Sequence, residues 1–296
     1  MILRAIEMEF LRWLESIRTD FLTQFIHGVN FTGDVLFFTI ILPIIYWLFS
    51  KRVGIILSLT IFVSLFTNTL IKDIFQILRP FKAYDMTSIV DQSGYSFPSG
   101  HAQHSFTFWI SLSLFLRNRW FWLFSIVMIL LVGFARMYSG VHYPLDVLAG
   151  WIIGLALVVA FYMLDKKRVL IRLNKKVIFI GGILISLCGL FVYEILTGQS
   201  LDQDGAYQAA GLVLFALVGY VLESSFIRFE IKRSILSRIC AAVLGLLGLL
   251  LIKEGVKLVL PEHVWSDFIR YGLLAFWTIY VAPLLFVTFK LAYRKL

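Results

Sequence analysis

Long apolar runs recur along almost the whole chain, and they restrict its fold more than any other feature. Nine are readable, at 34–50, 53–71, 103–116, 120–135, 145–164, 177–197, 207–226, 239–257 and 268–289. A bilayer core needs about 20 apolar residues of helix, so most of these runs are near spanning length and two are short. The chain is 60% hydrophobic and only 15% charged, with a mean hydropathy of +0.87. A soluble domain is about half apolar and about a quarter charged. In lipid the backbone must satisfy its own polar groups, which leaves helices or a closed barrel. Barrel strands would be about ten residues long and alternate in polarity, unlike these continuous runs. The expectation is an all-α, polytopic membrane protein with about nine transmembrane helices.

The net charge of +9 follows the connecting segments. Lys51-Arg52, the segment 117–119, DKKRVLIRLNKK at 165–176, RFEIKRSILSR at 228–238 and the tail with Lys290, Arg294 and Lys295 are basic. Loops of that kind stay in the cytoplasm. The opposite loops, GQSLDQDG at 198–205 and PEHVWSD at 261–267, are acidic. With nine spans, the N-terminus lies outside and the C-terminus inside the cell membrane. The cations sit at span ends and not on one stripe, so no nucleic-acid partner is expected. Cys188 and Cys240 fall in or at the edge of apolar runs and read as packing residues.

Residues 1–33 have a different character. Glu7, Glu9, Glu15 and Asp20 interrupt any apolar core of a cleavable signal. Ile6, Phe10, Trp13, Leu14 and Ile17 recur at helical spacing, which predicts an amphipathic helix lying at the membrane surface.

Three polar clusters stand out between 72 and 146, all on the expected outer side. The first is KDIFQILRP, with Lys72 and Arg79 seven apart, on one face if the helix continues to Pro80. Alone, such cations are as well explained by snorkelling to the interface. The second is FPSGH, where Pro98 suits a first helical turn and Ser99 and Gly100 leave amides open to an anion beside His101. His104, three residues on, has no evident third partner for a metal and reads as a packing residue. The third is ARMYSGVHYPLD, with Arg136, His142 and Asp146. A carboxylate four residues beyond an imidazole can hold one ring nitrogen and leave the other free as a nucleophile. The plainer reading of that pair is a surface histidine and a capping aspartate.

Together the clusters give Lys-x6-Arg-Pro, Pro-Ser-Gly-His and Arg-x5-His-x3-Asp, which resembles the type 2 phosphatidic acid phosphatase family. That family shares its site with bacterial acid phosphatases and vanadium-dependent haloperoxidases. The resemblance covers about 35–163. Ala135 departs from it, because the family usually has serine before the arginine. The resemblance implies a phosphatase helical-bundle core at 34–165. It does not cover the last four spans, and the basic run at 165–176 sets off 166–296 as an accessory module of four membrane helices. The resemblance further implies His142 as nucleophile, oriented by Asp146, with His101 as the proton donor and acceptor. Lys72, Arg79, Ser99, Gly100 and Arg136 would bind the phosphate. Fixed cations would then do the work of a metal, so no metal and no cofactor is expected.

A site at the outer helix ends suits a phosphorylated lipid whose tails stay in the membrane. Phosphatidic acid, phosphatidylglycerophosphate and undecaprenyl pyrophosphate are the expected substrate classes. Phe81, Tyr84, Met86, Ile89, Val90 and Tyr95 either line a lipid entry or rest on the interface. A phosphotransferase using the same intermediate, and a transporter or scaffold without activity, remain as alternatives. The second half carries Glu194, Glu223, Lys253, Glu254 and Lys257 in or near its helices, where pairing and snorkelling give them structural roles. Three tasks are open to it: a wider lipid surface, a homodimer contact or a separate activity.

Overall fold

The computed structural model describes residues 2–198 and 203–295. Residues 199–202 of the expected acidic loop at 198–205 therefore lie outside the described residues. Among the described residues the chain is helical almost throughout, with one two-stranded antiparallel ribbon. Among the described residues, seven helices are long and apolar enough to cross a membrane, or eight if a bent pair counts as one span. Two of the nine expected spans account for the difference. Residues 34–50 belong to a bent pair, and the run near 103 forms a helix of 17 residues, short for a bilayer.

The chain divides into two compact units that interleave in sequence. The first comprises Met1–Phe38 and Thr67–Tyr162; the second comprises Thr39–Phe66, Met163–Gln199 and Gln203–Leu296. This differs from the boundary expected at 165/166, because residues 39–66 group with the later helices.

The first unit opens with α1 (Ile2–Ser16) and α2 (Asp20–Phe31), where one helix was expected. The first stops at Ser16, and Thr19 is the N-cap of the second, accepting from the Leu22 amide. Ile6, Phe10 and Trp13 of α1 are exposed, as is Ile17 just after it, whereas Leu14, expected on the same face, is buried. The opposite face of α1 buries Met8, Leu11 and Leu14 against Met86 and Tyr143. Met86 is thus a core residue and not part of a lipid entry.

The bent pair joins α2 to α3 (Val35–Ile44), which runs on as a π-helical turn at Ile45–Phe49. Next comes α4 (Lys51–Phe75), whose residues from Thr67 belong to the first unit. The helix stops at Phe75, and Gln76 adopts a left-handed φ of 48°. Arg79 therefore does not continue the helical face of Lys72. It caps the single turn α5 (Pro80–Ala83), so Pro80 begins a helix where it was expected to end one.

The remaining helices of this unit are α6 (Gly100–Leu116), α7 (Arg119–Tyr138) and α8 (Pro144–Lys166), whose final residues belong to the second unit. Asn118 caps α7 by accepting from the amides of Trp120 and Phe121. Helix α8 crosses close to the start of α6 at Gly150, where a Cβ would lie 2.8 Å from the Ser99 carbonyl oxygen. Only glycine permits that approach.

The second unit continues with α9 (Val169–Arg172), α10 (Lys175–Thr197), α11 (Gln203–Leu222), α12 (Ile235–Val259), α13 (Val264–Phe276) and α14 (Ala282–Thr288). Strands β1 (Phe229–Ile231) and β2 (Ala292–Arg294) pair antiparallel. Long-range bonds explain why 39–66 belongs here. Trp47 Nε1 donates to the Thr278 carbonyl at 2.7 Å, and the Arg52 guanidinium grips both Asp165 carboxylate oxygens at 2.9 Å. Lys51 reaches buried Glu223 at 2.5 Å. Glu194 accepts from the Tyr207 hydroxyl at 2.8 Å. Glu223 and Glu194 therefore hold structural positions, as their place near helix ends suggested.

Candidate active site

All eight singled-out residues lie in the first unit, at the ends of α4, α6, α7 and α8 or in the loops that join them. Helix α7 ends at Tyr138, and the loop to α8 carries His142. Gly140, at φ 75°, makes that turn beside the Thr87 carbonyl, where a side chain would clash. Pro144 then starts α8 and puts Asp146 in its first turn, where an acid suits the helix dipole.

His142 Nδ1 lies 3.4 Å from Asp146 Oδ2. The same carboxylate oxygen accepts from the Tyr143 amide at 2.9 Å and from the Ser96 hydroxyl. Asp146 is therefore fixed from three directions. On the far side of the ring, Nε2 lies 3.1 Å from Arg79 Nη1. With its proton on Nδ1 facing the carboxylate, the ring directs its lone pair from Nε2 toward the guanidinium. The ring is buried. Burial, then the cations Arg79, Arg136 and Lys72 and the His101 ring, hold the His142 pKa well below the usual imidazole value. The imidazole is neutral at pH 7, as a nucleophile must be.

The cations are held by backbone and amide oxygens. Arg79 donates to the carbonyls of Ser93, Gly94 and Val141, so the loop at 93–94 and the His142 loop close on it. Arg136, buried at the end of α7, donates to Asn30 Oδ1 at 3.1 Å and to Gln92 Oε1 at 2.8 Å. Asn30 in turn donates to Ser139 Oγ. Ala135, the departure from the family pattern, is fully buried in a cluster with Ile26, Val29, Val132 and Tyr138.

At the start of α6, Ser99 is the N-cap residue, and its amide donates to the Asp146 carbonyl at 3.0 Å. Pro98 thus precedes the helix instead of lying in its first turn, and the Phe97–Pro98 peptide is cis. The Ser99 hydroxyl makes no capping bond. Among the described residues, Ser99 Oγ and Arg136 Nε are buried and without a hydrogen-bond partner. Buried polar atoms are nearly always paired, so the hydroxyl and the guanidinium N–H are each a donor open to an acceptor. First-turn amides from Gly100 onward add donors that lack intrahelical acceptors. His101 Nε2 lies 3.9 Å from Asp34 Oδ2, just after α2. His104 is buried, its ring edge-on to Phe38 with centroids 6.4 Å apart, and Asn68 ties α4 to α6 through Pro98 O and Gln103 Oε1.

The sequence reading missed Ser96, Asn30, Gln92 and Asp34. Nothing in their spacing marks them, since they join the site from other elements. Only the proximity of Ser96 to FPSGH offered a signal.

Residues 53–170 match the PAP2 superfamily, and residues 207–294 match the PAP2 superfamily phosphatase transmembrane extension. An undecaprenyl-diphosphatase of Sulfolobus acidocaldarius is 35% identical over 107 residues, 36% of this chain and 52% of that protein. The chain thus spans about half the length of that relative. A lipid A 4'-phosphatase of Bacteroides thetaiotaomicron is 30% identical over 167 residues, 51% of this chain and 73% of that protein. The fold resembles the crystal structure of a transmembrane PAP2-type phosphatidylglycerolphosphate phosphatase from Bacillus subtilis, with a TM-score of 0.51 at 23% identity over 56% of this chain and 87% of that one. Sequence matches on both sides of residue 171 and the membrane-spanning helices lead to one assignment: the chain belongs to the PAP2 superfamily of membrane phosphatases.

Proposed function

We propose that this chain removes a phosphoryl group from a lipid phosphate or pyrophosphate through a phosphohistidine on His142. The observation that carries the reading is the His142 ring, with Nδ1 toward Asp146 and Nε2 toward Arg79. In the first step Nε2 attacks phosphorus and the bond to the leaving lipid oxygen breaks. His101, whose pKa burial and the nearby cations Arg136, Lys72 and Arg79 hold low, takes up a proton with the phosphate anion bound and gives it to that oxygen. Nδ1–H stays with Asp146, which offsets the charge that develops on the ring. In the second step water attacks the phosphorus, His101 takes its proton, and the P–N bond breaks to release phosphate.

Lys72, Arg79 and Arg136 bind the non-bridging oxygens together with the Ser99 hydroxyl and the Gly100 amide. Phosphoryl transfer needs positioning and charge compensation above all, and fixed donors provide both without reorganising. The substrate class is a lipid phosphate with its tails in the bilayer: phosphatidic acid, phosphatidylglycerophosphate, undecaprenyl pyrophosphate or a lipid A phosphate. The basic segments at 165–176 and 228–238 favour an active site on the outer face of the cell membrane.

The test is phosphate release from a panel of these lipids by purified protein in vesicles. His142→Ala should abolish release while the protein still folds, and brief reaction with labelled substrate should mark His142 alone. Full turnover in His142→Ala would overturn the mechanism. For the topology, Ser93→Cys should react with an impermeant thiol reagent added outside the cell; labelling only from the cytoplasmic side would invert the orientation.

A further inference from the structure

Helix α1 and the link that follows it lie against the two ends of the loop that carries His142. At the start of the loop, Arg18 donates from Nε and Nη2 to the Tyr138 carbonyl, at 3.1 and 2.8 Å. Its Nη1 donates to the Thr87 carbonyl at 3.1 Å. Beyond the loop, Glu7 Oε1 accepts from the Leu145 amide at 3.0 Å. That amide belongs to the first turn of α8, so Glu7 supplies from another helix the acceptor that a capping side chain would normally provide. Glu7 is only 4% exposed, and its other oxygen accepts from Arg4 at 3.0 Å. The Arg4 guanidinium lies 3.6 Å from the centroid of the Tyr143 ring. The backbone amide of Tyr143 in turn holds Asp146 Oδ2.

None of these contacts is expected of a helix that simply rests on a membrane. A buried carboxylate is costly, and here its partners all lead to the His142 loop. We propose that Glu7 and Arg18 are positioning residues, and that α1 is a brace fixing the His142–Asp146 geometry. The exposed Ile6, Phe10, Trp13 and Ile17 anchor the brace in lipid. The inference rests on the phosphoryl-transfer reading above.

Steady-state kinetics in vesicles on Glu7→Ala, Glu7→Gln and Arg18→Ala test it. Displacing a reacting group by a fraction of an ångström from a remote site slows chemistry more than binding, so kcat should fall about tenfold or more while KM changes little. Glu7→Gln keeps an oxygen acceptor for the Leu145 amide and should recover most of the Glu7→Ala loss. Labelling of His142 in a single turnover should slow by the same factor as kcat. A folded Glu7→Ala with wild-type kcat would overturn the proposal, as would equal losses in the Ala and Gln variants. If Glu7→Ala does not fold, Arg4→Gln decides: a lower kcat at constant KM supports the brace, and an unchanged kcat removes it. Wild-type protein that releases no phosphate would defeat the parent reading instead, so the two failures are distinct.

Discussion

The Ser96 hydroxyl donates to Oδ2 of Asp146, the same oxygen that faces His142 Nδ1 at 3.4 Å. The proposed nucleophile is therefore oriented by a carboxylate that is itself oriented. Hydrogen bonds to charged groups contribute about 1.5–3 kcal/mol. Ser96→Ala should leave the fold intact and lower kcat about tenfold, because Asp146 keeps only the Tyr143 amide to fix its rotamer. Steady-state rates at saturating substrate check this, and an unchanged kcat would show that the Tyr143 amide suffices.

The lowered pKa of His142 gives stability a specific pH dependence. Above the ordinary histidine value, about 6.5, the ring is neutral in both folded and unfolded chains and contributes no slope. As pH falls below that value the unfolded ring takes up a proton while the folded ring, buried beside Arg79 and Arg136, resists. The unfolded state then binds more protons, so stability is lost from about pH 6.5 downward toward the lower folded value. His142→Asn cannot titrate and should lose less stability between pH 7.5 and 5.5. Thermal unfolding of the two proteins in detergent at both pH values measures the difference, and equal losses would rule out His142 as the source.

Arg136 depends on a residue far from it in sequence. Asn30 accepts from its Nη1 and donates to Ser139 Oγ, so one amide ties α2 to the end of α7. Asn30→Ala should release the guanidinium and weaken phosphate binding, raising KM severalfold along with a fall in kcat. Asn30→Asp keeps an acceptor and should do less damage to Arg136, at the expense of the bond to Ser139. Inhibition by inorganic phosphate, measured on all three proteins, separates a binding defect from a general loss of fold.

Charge compensation by Lys72, Arg79 and Arg136 leads to a further expectation. Among the described residues no group of three His, Cys, Asp or Glu side chains is placed to hold a metal ion. If the three cations supply that charge, phosphate release should continue unchanged in a chelator, after extensive dialysis. Activity that disappears with chelator and returns with a divalent cation would reassign the charge compensation.

The sequence was most informative where chemistry and spacing coincide. His142 and Asp146 are four residues apart across the helix start that Pro144 marks, so their contact was legible from spacing, although His142 itself lies in the loop before α8. Arg79 was harder. Its pairing with Lys72 was read from helical periodicity, yet the helix ends at Phe75 and the guanidinium reaches His142 through the loop. Ser96 and Asn30 were not legible, because an isolated serine or asparagine carries no period and meets its partner only after folding. Glu7 was visible only as an interruption in an apolar face. Its burial depends on Leu145, 138 residues away. The same limit applies to the boundary at 165/166, where composition changes but Lys51 and Trp47 bond across it to later helices.

The second unit offers a test independent of catalysis. Glu223 is buried and its Oε1 accepts from Lys51 at 2.5 Å and from the Phe229 amide at 2.9 Å. Lys51 also donates to the Phe229 carbonyl at 3.0 Å, so the pair fastens the start of β1. Lys51→Met removes the charge partner and leaves a buried carboxylate with one donor. The expected loss is about 1–3 kcal/mol, read as a lower unfolding temperature in detergent. Removing the second charge as well should restore part of it, since a buried pair is costly to break but less costly to replace. Lys51→Met with Glu223→Gln should therefore unfold at a higher temperature than Lys51→Met alone. Phosphate release well below the unfolding temperature should match wild type in both, because neither residue belongs to the unit that carries His142. A double variant no more stable than Lys51→Met would mean that Lys51 acts through its aliphatic stem over the Phe229 ring, where its ammonium lies 4.4 Å from the centroid, and not through charge.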